Sequence, residues 1–273
     1  MPTANVNGTD LYYVSVGSGV PCLVLHGGLG VDHTVLHPWL DPLSHVLHLI
    51  YYDHRGNGRS GRPPPETLTL NQLAADADAL AAFLGFDQVA VIGQSLGGFI
   101  ALTLALTYPA RVSHLVLMDT APAFNYLDEV IANAARRGAT DEMMAALRAP
   151  TPSDDEEFKR LLQIVWPLYF HNFDPSLAER QKAHVVFSAC AAASSELFLP
   201  GYDVTPRLKD IHVPTLVVAG RDDFICPPRQ AQLIRDGIPN SELAIFERSG
   251  HFPFLEEPET FFATIRNWLQ RTL

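Results

Sequence analysis

Basic residues are scarce in this chain of 273 residues: 19 lysines and arginines stand against 30 aspartates and glutamates, a net charge of −11 with histidine neutral. Such a surface repels phosphate backbones and anionic membrane faces, which argues against nucleic acid and membrane as partners. Cysteine is scarcer still. Cys22, Cys190 and Cys226 are odd in number and far apart, so they make neither a disulfide framework nor a Cys-x-x-Cys metal knuckle. They read as small buried hydrophobes, with Cys226 placed to border a pocket because it follows a functional-looking loop. No apolar run reaches the ~18 to 20 residues of a membrane span, and the N-terminus MPTANVNGTD has neither a basic start nor an apolar stretch, so the expected location is the cytoplasm. Fixed-period repeats and low-complexity tracts are missing too.

What is present is a globular composition, 47% hydrophobic and 18% charged, at a length that suits one large α/β domain with an insertion. Asn7-Gly8, followed by the alternation of Tyr12, Val14 and Val16, predicts an early antiparallel strand over 10–16. After it, apolar runs of strand length (22–25, 47–52, 89–92, 115–118, 216–219 and 243–246) alternate with helix-length periodic segments. That pattern predicts a parallel sheet covered on both faces. Helices are expected where Leu70, Leu73, Ala77, Leu80, Ala81 and Leu84 share a face before Gly85, from about 97 to 108 ahead of Pro109, and from about 258 to 273.

The rhythm breaks between 121 and 206, where acidic and alanine-rich helical segments replace strands. Residues 1–120 and 207–273 are therefore read as the core and 121–206 as an inserted helical cap. The cap is rich in large apolar side chains, most of which belong to its own packing; Trp166, Tyr169 and Phe170, with Leu29 from the core, are expected to line a substrate pocket.

Gly93-Gln94-Ser95-Leu96-Gly97 directly follows the strand VAVI and directly precedes the helix GFIALTLAL. A serine set in so sharp a strand-to-helix turn needs glycine two residues to either side, and its hydroxyl is raised out of the sheet as a nucleophile. The bland reading is a serine that caps the helix. A serine hydroxyl also needs a base, and a third group to fix that base's tautomer. His251, in SGHFP after the last strand, is the one histidine of eleven in that position. For the acid, VVAGRDDFICP offers Asp222 and Asp223 after the preceding strand; Asp223 is preferred, with Asp119 at the end of HLVLMD as the alternative. In His26-Gly27-Gly28-Leu29-Gly30 the backbone can turn its amides toward the serine, so the amides of Gly28 and Leu96 are expected to form an oxyanion hole. The same segment lacks the spacing and the lysine of phosphate-binding loops. His33 with His37 and His45 with His48 have helical spacing, yet no third ligand accompanies either pair; neither metal nor cofactor is expected.

These residues, together with Tyr52-Asp53-His54-Arg55-Gly56-Asn57-Gly58-Arg59-Ser60, resemble the α/β-hydrolase superfamily over essentially the whole chain. The resemblance implies a mostly parallel eight-stranded sheet, and it makes the DHRGNGRS segment a structural loop behind the active site, with Asp53 and Arg55 in support. Within the superfamily the chain is similar to small carboxylesterases and lactonases, including those acting on N-acyl homoserine lactones, and to proline iminopeptidases through HGGLG, YYDHRGNGRS and WPLYF. It departs from the iminopeptidases at Leu29, where proline is usual, and at Leu96, where an aromatic residue commonly follows the serine. The expected activity is hydrolysis of a small ester or lactone through an acyl-enzyme. An iminopeptidase is the runner-up, with Asp154, Asp155, Glu156, Glu157 and Glu196 available for a cationic amine. A triad-bearing ligand receptor, a lyase and a cofactor-free haloperoxidase stay open, as does a homodimer.

Overall fold

The computed structural model describes residues 2–273; Met1, the first residue of the expected core, lies outside them. The chain starts with a hairpin, β1 (Thr3–Val6) and β2 (Thr9–Val16), turned by Asn7 and Gly8 at φ 48° and 75°. Positive φ at both turn residues matches the twist of the flanking strands, which is why Asn-Gly serves here. Each of the six apolar runs forms a parallel strand: β3 (Val20–Leu25), β4 (Leu47–Tyr52), β5 (Val89–Gln94), β6 (Val112–Met118), β7 (Thr215–Gly220) and β8 (Ser241–Phe246). The sheet order is β1-β2-β4-β3-β5-β6-β7-β8, antiparallel at the β1/β2 and β2/β4 pairs and parallel elsewhere. β1 is the strand that sequence reasoning did not anticipate.

Alternate residues of each strand enter two separate cores, as the pleat requires. Leu23, Leu25, Val91, Leu115, Leu117 and Val217 face one side, packed with α1 (Leu70–Phe83) and α2 (Leu96–Thr107). Cys22, Val24, Ala90, Ile92, Val116 and Val218 face the other. Between β6 and β7 every element is helical: α3 (Leu127–Arg136), α4 (Asp141–Arg148), α5 (Asp155–Val165), α6 (Pro175–Lys182) and α7 (Ala189–Phe198), with a 3-10 turn at Trp166–Tyr169. Then come α8 (Pro228–Gly237), the short α9 (Pro253–Glu256) and α10 (Pro258–Thr272). α10 seals the second core with Phe261, Ile265, Trp268 and Leu269, each worth about 1.5–3 kcal/mol on burial. Among the described residues no helix is long and apolar enough to cross a membrane.

Candidate active site

Parallel strands deliver their following loops to one edge of the sheet, and ligands collect there. The loop after β5 is the glycine-flanked turn. Ser95 sits at φ 55°, ψ −124°, a conformation costing a non-glycine residue about 1–3 kcal/mol. The surroundings hold it: Ser95 N–H donates to Met118 O at 2.9 Å, and Thr120 Oγ1 donates to Ser95 O at 2.6 Å. Gly97 is required by proximity, since a Cβ there would lie 2.1 Å from Leu25 O. The Ser95 hydroxyl makes no capping bond to α2, which removes the bland reading of the motif.

After β8, His251 is 3% exposed, and its Nδ1–H donates to Asp223 Oδ2 at 2.7 Å. The other oxygen of Asp223 accepts the amides of Ile225 and Cys226, both at 3.0 Å, so the carboxylate is held from two directions. Asp222 turns outward and pairs with His171 and, at 3.6 Å, with Arg137. Asp119 spends Oδ1 on the Gly220 amide at 2.8 Å, while its buried Oδ2 has no partner among the described residues. Burial, then the neighbouring Asp223 charge, push the Asp119 carboxyl well above the usual carboxylate range, so it is held protonated. Of these three aspartates, Asp223 is the one that bonds His251.

Cys226 lies beside this pair: its thiol, the Asp223 carboxylate and the His251 imidazole are within 4.8 Å of one another. Burial and the Asp223 charge push that thiol well above its ordinary value, leaving it inert. A second cluster, Asp32, His33 and Asp53, is also tight enough for a cation. It is already satisfied from within: His33 bonds Asp53 at 2.6 Å, and the Arg59 guanidinium bonds Asp32 at 2.7 Å. Burial pushes the Asp53 carboxyl up, but its bond to His33 and the nearby imidazoles outweigh that and hold it low. Arg55, the other supporting residue, forms a buried two-point ion pair with Asp76.

The glycine-rich turn after β3 reaches over Ser95. Among the described residues neither the Gly28 amide nor the Leu96 amide has an acceptor within the protein, and Leu96 is the first residue of α2, where no intrahelical partner exists. Two free amides, one in the glycine-rich turn and one at a helix start, are the equipment for stabilising an oxyanion. Asn57 fixes the turn from below by accepting the Gly30 amide at 2.7 Å. That role was hidden in the sequence because the partner is a backbone amide 27 residues away. Beneath lie His26 and His54, rings 4.1 Å apart, both lowered by burial, His54 to about 4; they are neutral supports.

Ser95, His251, Gln94, Gly27 and Gly28 share one cavity of about 340 Å³. No direct hydrogen bond joins Ser95 to His251 among the described residues, an opening of the kind that a bound acyl group closes. The wall is mostly apolar, with Val31, Phe124, Phe158, Leu162 and Phe252. Leu29, Trp166 and Tyr169 also line it. Phe170 does not. The 3-10 turn ends there, the backbone becomes extended (φ −108°, ψ 144°), and its ring turns into the core against Phe173 and Phe252. Of the acidic residues considered for an amine, Glu196 alone reaches the cavity; Asp154 caps α5 and Asp155 accepts the Ala189 amide.

Residues 20–258 match the α/β hydrolase fold family. A proline iminopeptidase of Pestalotiopsis fici is 31% identical over 97% of this chain and 98% of its own. Among solved structures, an esterase from Exiguobacterium antarcticum is similar at TM-score 0.79 and 26% identity, covering 97% of each chain. Est816, described as an N-acyl homoserine lactone degrading enzyme, is similar at TM-score 0.66 and 26% identity, covering 97% of this chain and 99% of its own.

Proposed function

Because the chain belongs to the α/β-hydrolase family and is a hydrolase of that fold, we propose that it cleaves carboxylic ester or lactone bonds through an acyl-enzyme on Ser95. The observation that carries this reading is the 2.7 Å hydrogen bond from Asp223 to His251, whose imidazole lines the same cavity as Ser95. In the reaction, His251 Nε2 takes the hydroxyl proton as Ser95 Oγ adds to the carbonyl carbon. The amides of Gly28 and Leu96 hold the oxyanion, and Asp223 stabilises the imidazolium. The ester C–O bond breaks as His251 returns the proton to the leaving oxygen. Water, deprotonated by the same imidazole, then releases the acid. The helical segment 121–206 acts as the cap, giving the cavity its apolar roof. At about 340 Å³ the cavity is near the small end of ligand sites, which suits short to medium acyl groups.

The test is turnover of p-nitrophenyl butyrate and labelling by a fluorophosphonate. Ser95→Ala is expected to lose turnover by several orders of magnitude and to lose the label, with its melting temperature unchanged; retained turnover refutes the reading.

One observation favours a second reading, proline iminopeptidase. Glu196 is the single carboxylate of the cavity wall among the described residues, and Thr151 occupies only its Oε1. An N-terminal amine could pair with Oε2. Proline naphthylamide turnover that exceeds ester turnover, and that falls in Glu196→Gln while ester turnover persists, would select it.

A further inference from the structure

The segment following α5 touches the catalytic histidine more closely than a pocket roof needs to. His251 N–H donates to Tyr169 O at 2.6 Å. Gly250 is pressed onto the same carbonyl, where a Cβ would come within 2.3 Å of the oxygen. The Tyr169 ring meets the His251 imidazole at 5.2 Å and 62°, and is itself fixed edge-on against Phe224 at 5.0 Å and beside Trp166 at 5.4 Å. The polypeptide around it is tied to the catalytic loops. Arg137 donates to Phe170 O, Arg137 and His171 pair with Asp222, and Asn172 N–H donates to Glu256 Oε1 at 3.1 Å. Glu256 Oε2 in turn accepts the Gly250 amide at 2.7 Å.

The bond from Nδ1 to Asp223 fixes the tautomer of His251 but not the full orientation of its ring, because the imidazole can pivot about that bond. A flat, clamped side chain beside the ring removes this freedom. On the reading that His251 is the general base, we propose that Tyr169 is a positioning residue for it: the aromatic ring, not the hydroxyl, keeps Nε2 directed at Ser95. The segment between β6 and β7 thereby completes the proton-transfer geometry as well as roofing the cavity. The Tyr169 hydroxyl makes no hydrogen bond among the described residues, so the ring and the hydroxyl can be tested separately.

The experiment compares Tyr169→Phe, Tyr169→Leu and the bulkier Tyr169→Met, the last in case leucine does not support folding. Each is assayed for kcat and KM with p-nitrophenyl butyrate and for the downfield proton resonance of the His251 Nδ1–H. The phenylalanine variant is expected to keep kcat within about threefold and to keep a sharp resonance. The leucine and methionine variants are expected to lose about 10- to 100-fold in kcat, the scale of an ångström-level misplacement, with KM moving less and the resonance broadened. Wild-type kcat in the leucine or methionine variant, a defect confined to KM, or a loss in the phenylalanine variant equal to theirs overturns the proposal. The resonance reports on His251 without turnover. Failure of the esterase reading, seen as absent Ser95 labelling in the wild type, is therefore distinguishable from failure of this one.

Discussion

Replacing Gly250 by alanine inserts one methyl group between the His251 loop and the Tyr169 backbone. The new Cβ would stand 2.3 Å from Tyr169 O and 2.9 Å from its carbonyl carbon, about 1 Å inside the 3.4 Å of ordinary contact. Both neighbours are backbone, so no side chain can swing aside, and the loop carrying His251 must retreat from Tyr169 by roughly that amount. Gly250 has no positive φ, so alanine is tolerated there conformationally and the effect is steric alone. Overpacking of this kind costs about 1–3 kcal/mol, a fall in melting temperature of about 2–5 °C for a protein of this size. The catalytic effect should be larger, because an ångström of misplacement at a proton-transferring group costs about 100-fold in rate. Esterase kinetics at a temperature where both proteins are folded, with thermal melts alongside, provide the assay. Gly201→Ala is the control, since a Cβ there meets nothing within 4 Å. A Gly250→Ala enzyme with kcat within threefold of wild type would refute the view that this contact sets the position of His251.

Two further substitutions test the buried charges. In Asp119→Asn the amide replaces a carboxyl that burial keeps protonated, its pKa raised above the unfolded value. The folded chain thus holds a proton that the unfolded chain releases above about pH 4, so the wild type loses stability as pH climbs toward the folded pKa; the variant's melting temperature should gain on the wild type between pH 5 and pH 8, and a constant gap contradicts the assignment. Arg55→Met strands Asp76, which is 1% exposed, and should cost about 3–5 kcal/mol in urea unfolding, whereas the double variant Arg55→Met/Asp76→Leu should recover most of that; an additive double variant contradicts the buried pairing.

The six parallel strands were legible because strands buried on both faces read as unbroken apolar runs with no competing period. β1 was not: TANV presents only Ala4 and Val6 to the core, and it becomes a strand through pairing with β2. α8 was missed for a similar reason, since PRQAQLIRDG buries only Gln230, Ala231 and Ile234. In the candidate site, the shared position of Ser95 and His251 at one cavity was legible from their place relative to strands, which a parallel sheet converts directly into position. Phe170 was misread because neighbouring residues in an irregular turn point in unrelated directions, and nothing in WPLYF says where the turn ends. Asn57 and Thr120 each hold a backbone atom of a distant residue, and no local pattern encodes such a contact.

Two carboxylates follow neighbouring strands, Asp119 after β6 and Asp223 after β7, and the fold distinguishes them by distributing hydrogen-bond donors. Asp223 receives two amides from its own loop and the imidazole, so its negative charge is compensated where it lies. Asp119 receives a single amide and leaves one oxygen buried without a partner, an environment in which a charge could not be kept. Neutralising Asp119 removes the repulsion that a second buried negative charge would impose on the Asp223 carboxylate. The same logic covers Cys226, whose thiol is kept protonated by burial and by the Asp223 charge. Around Asp223, then, the fold sets one carboxylate with three donors beside an acid and a thiol whose proton affinities burial raises, which under the proposed acyl-transfer mechanism leaves the charge developing on His251 a single partner.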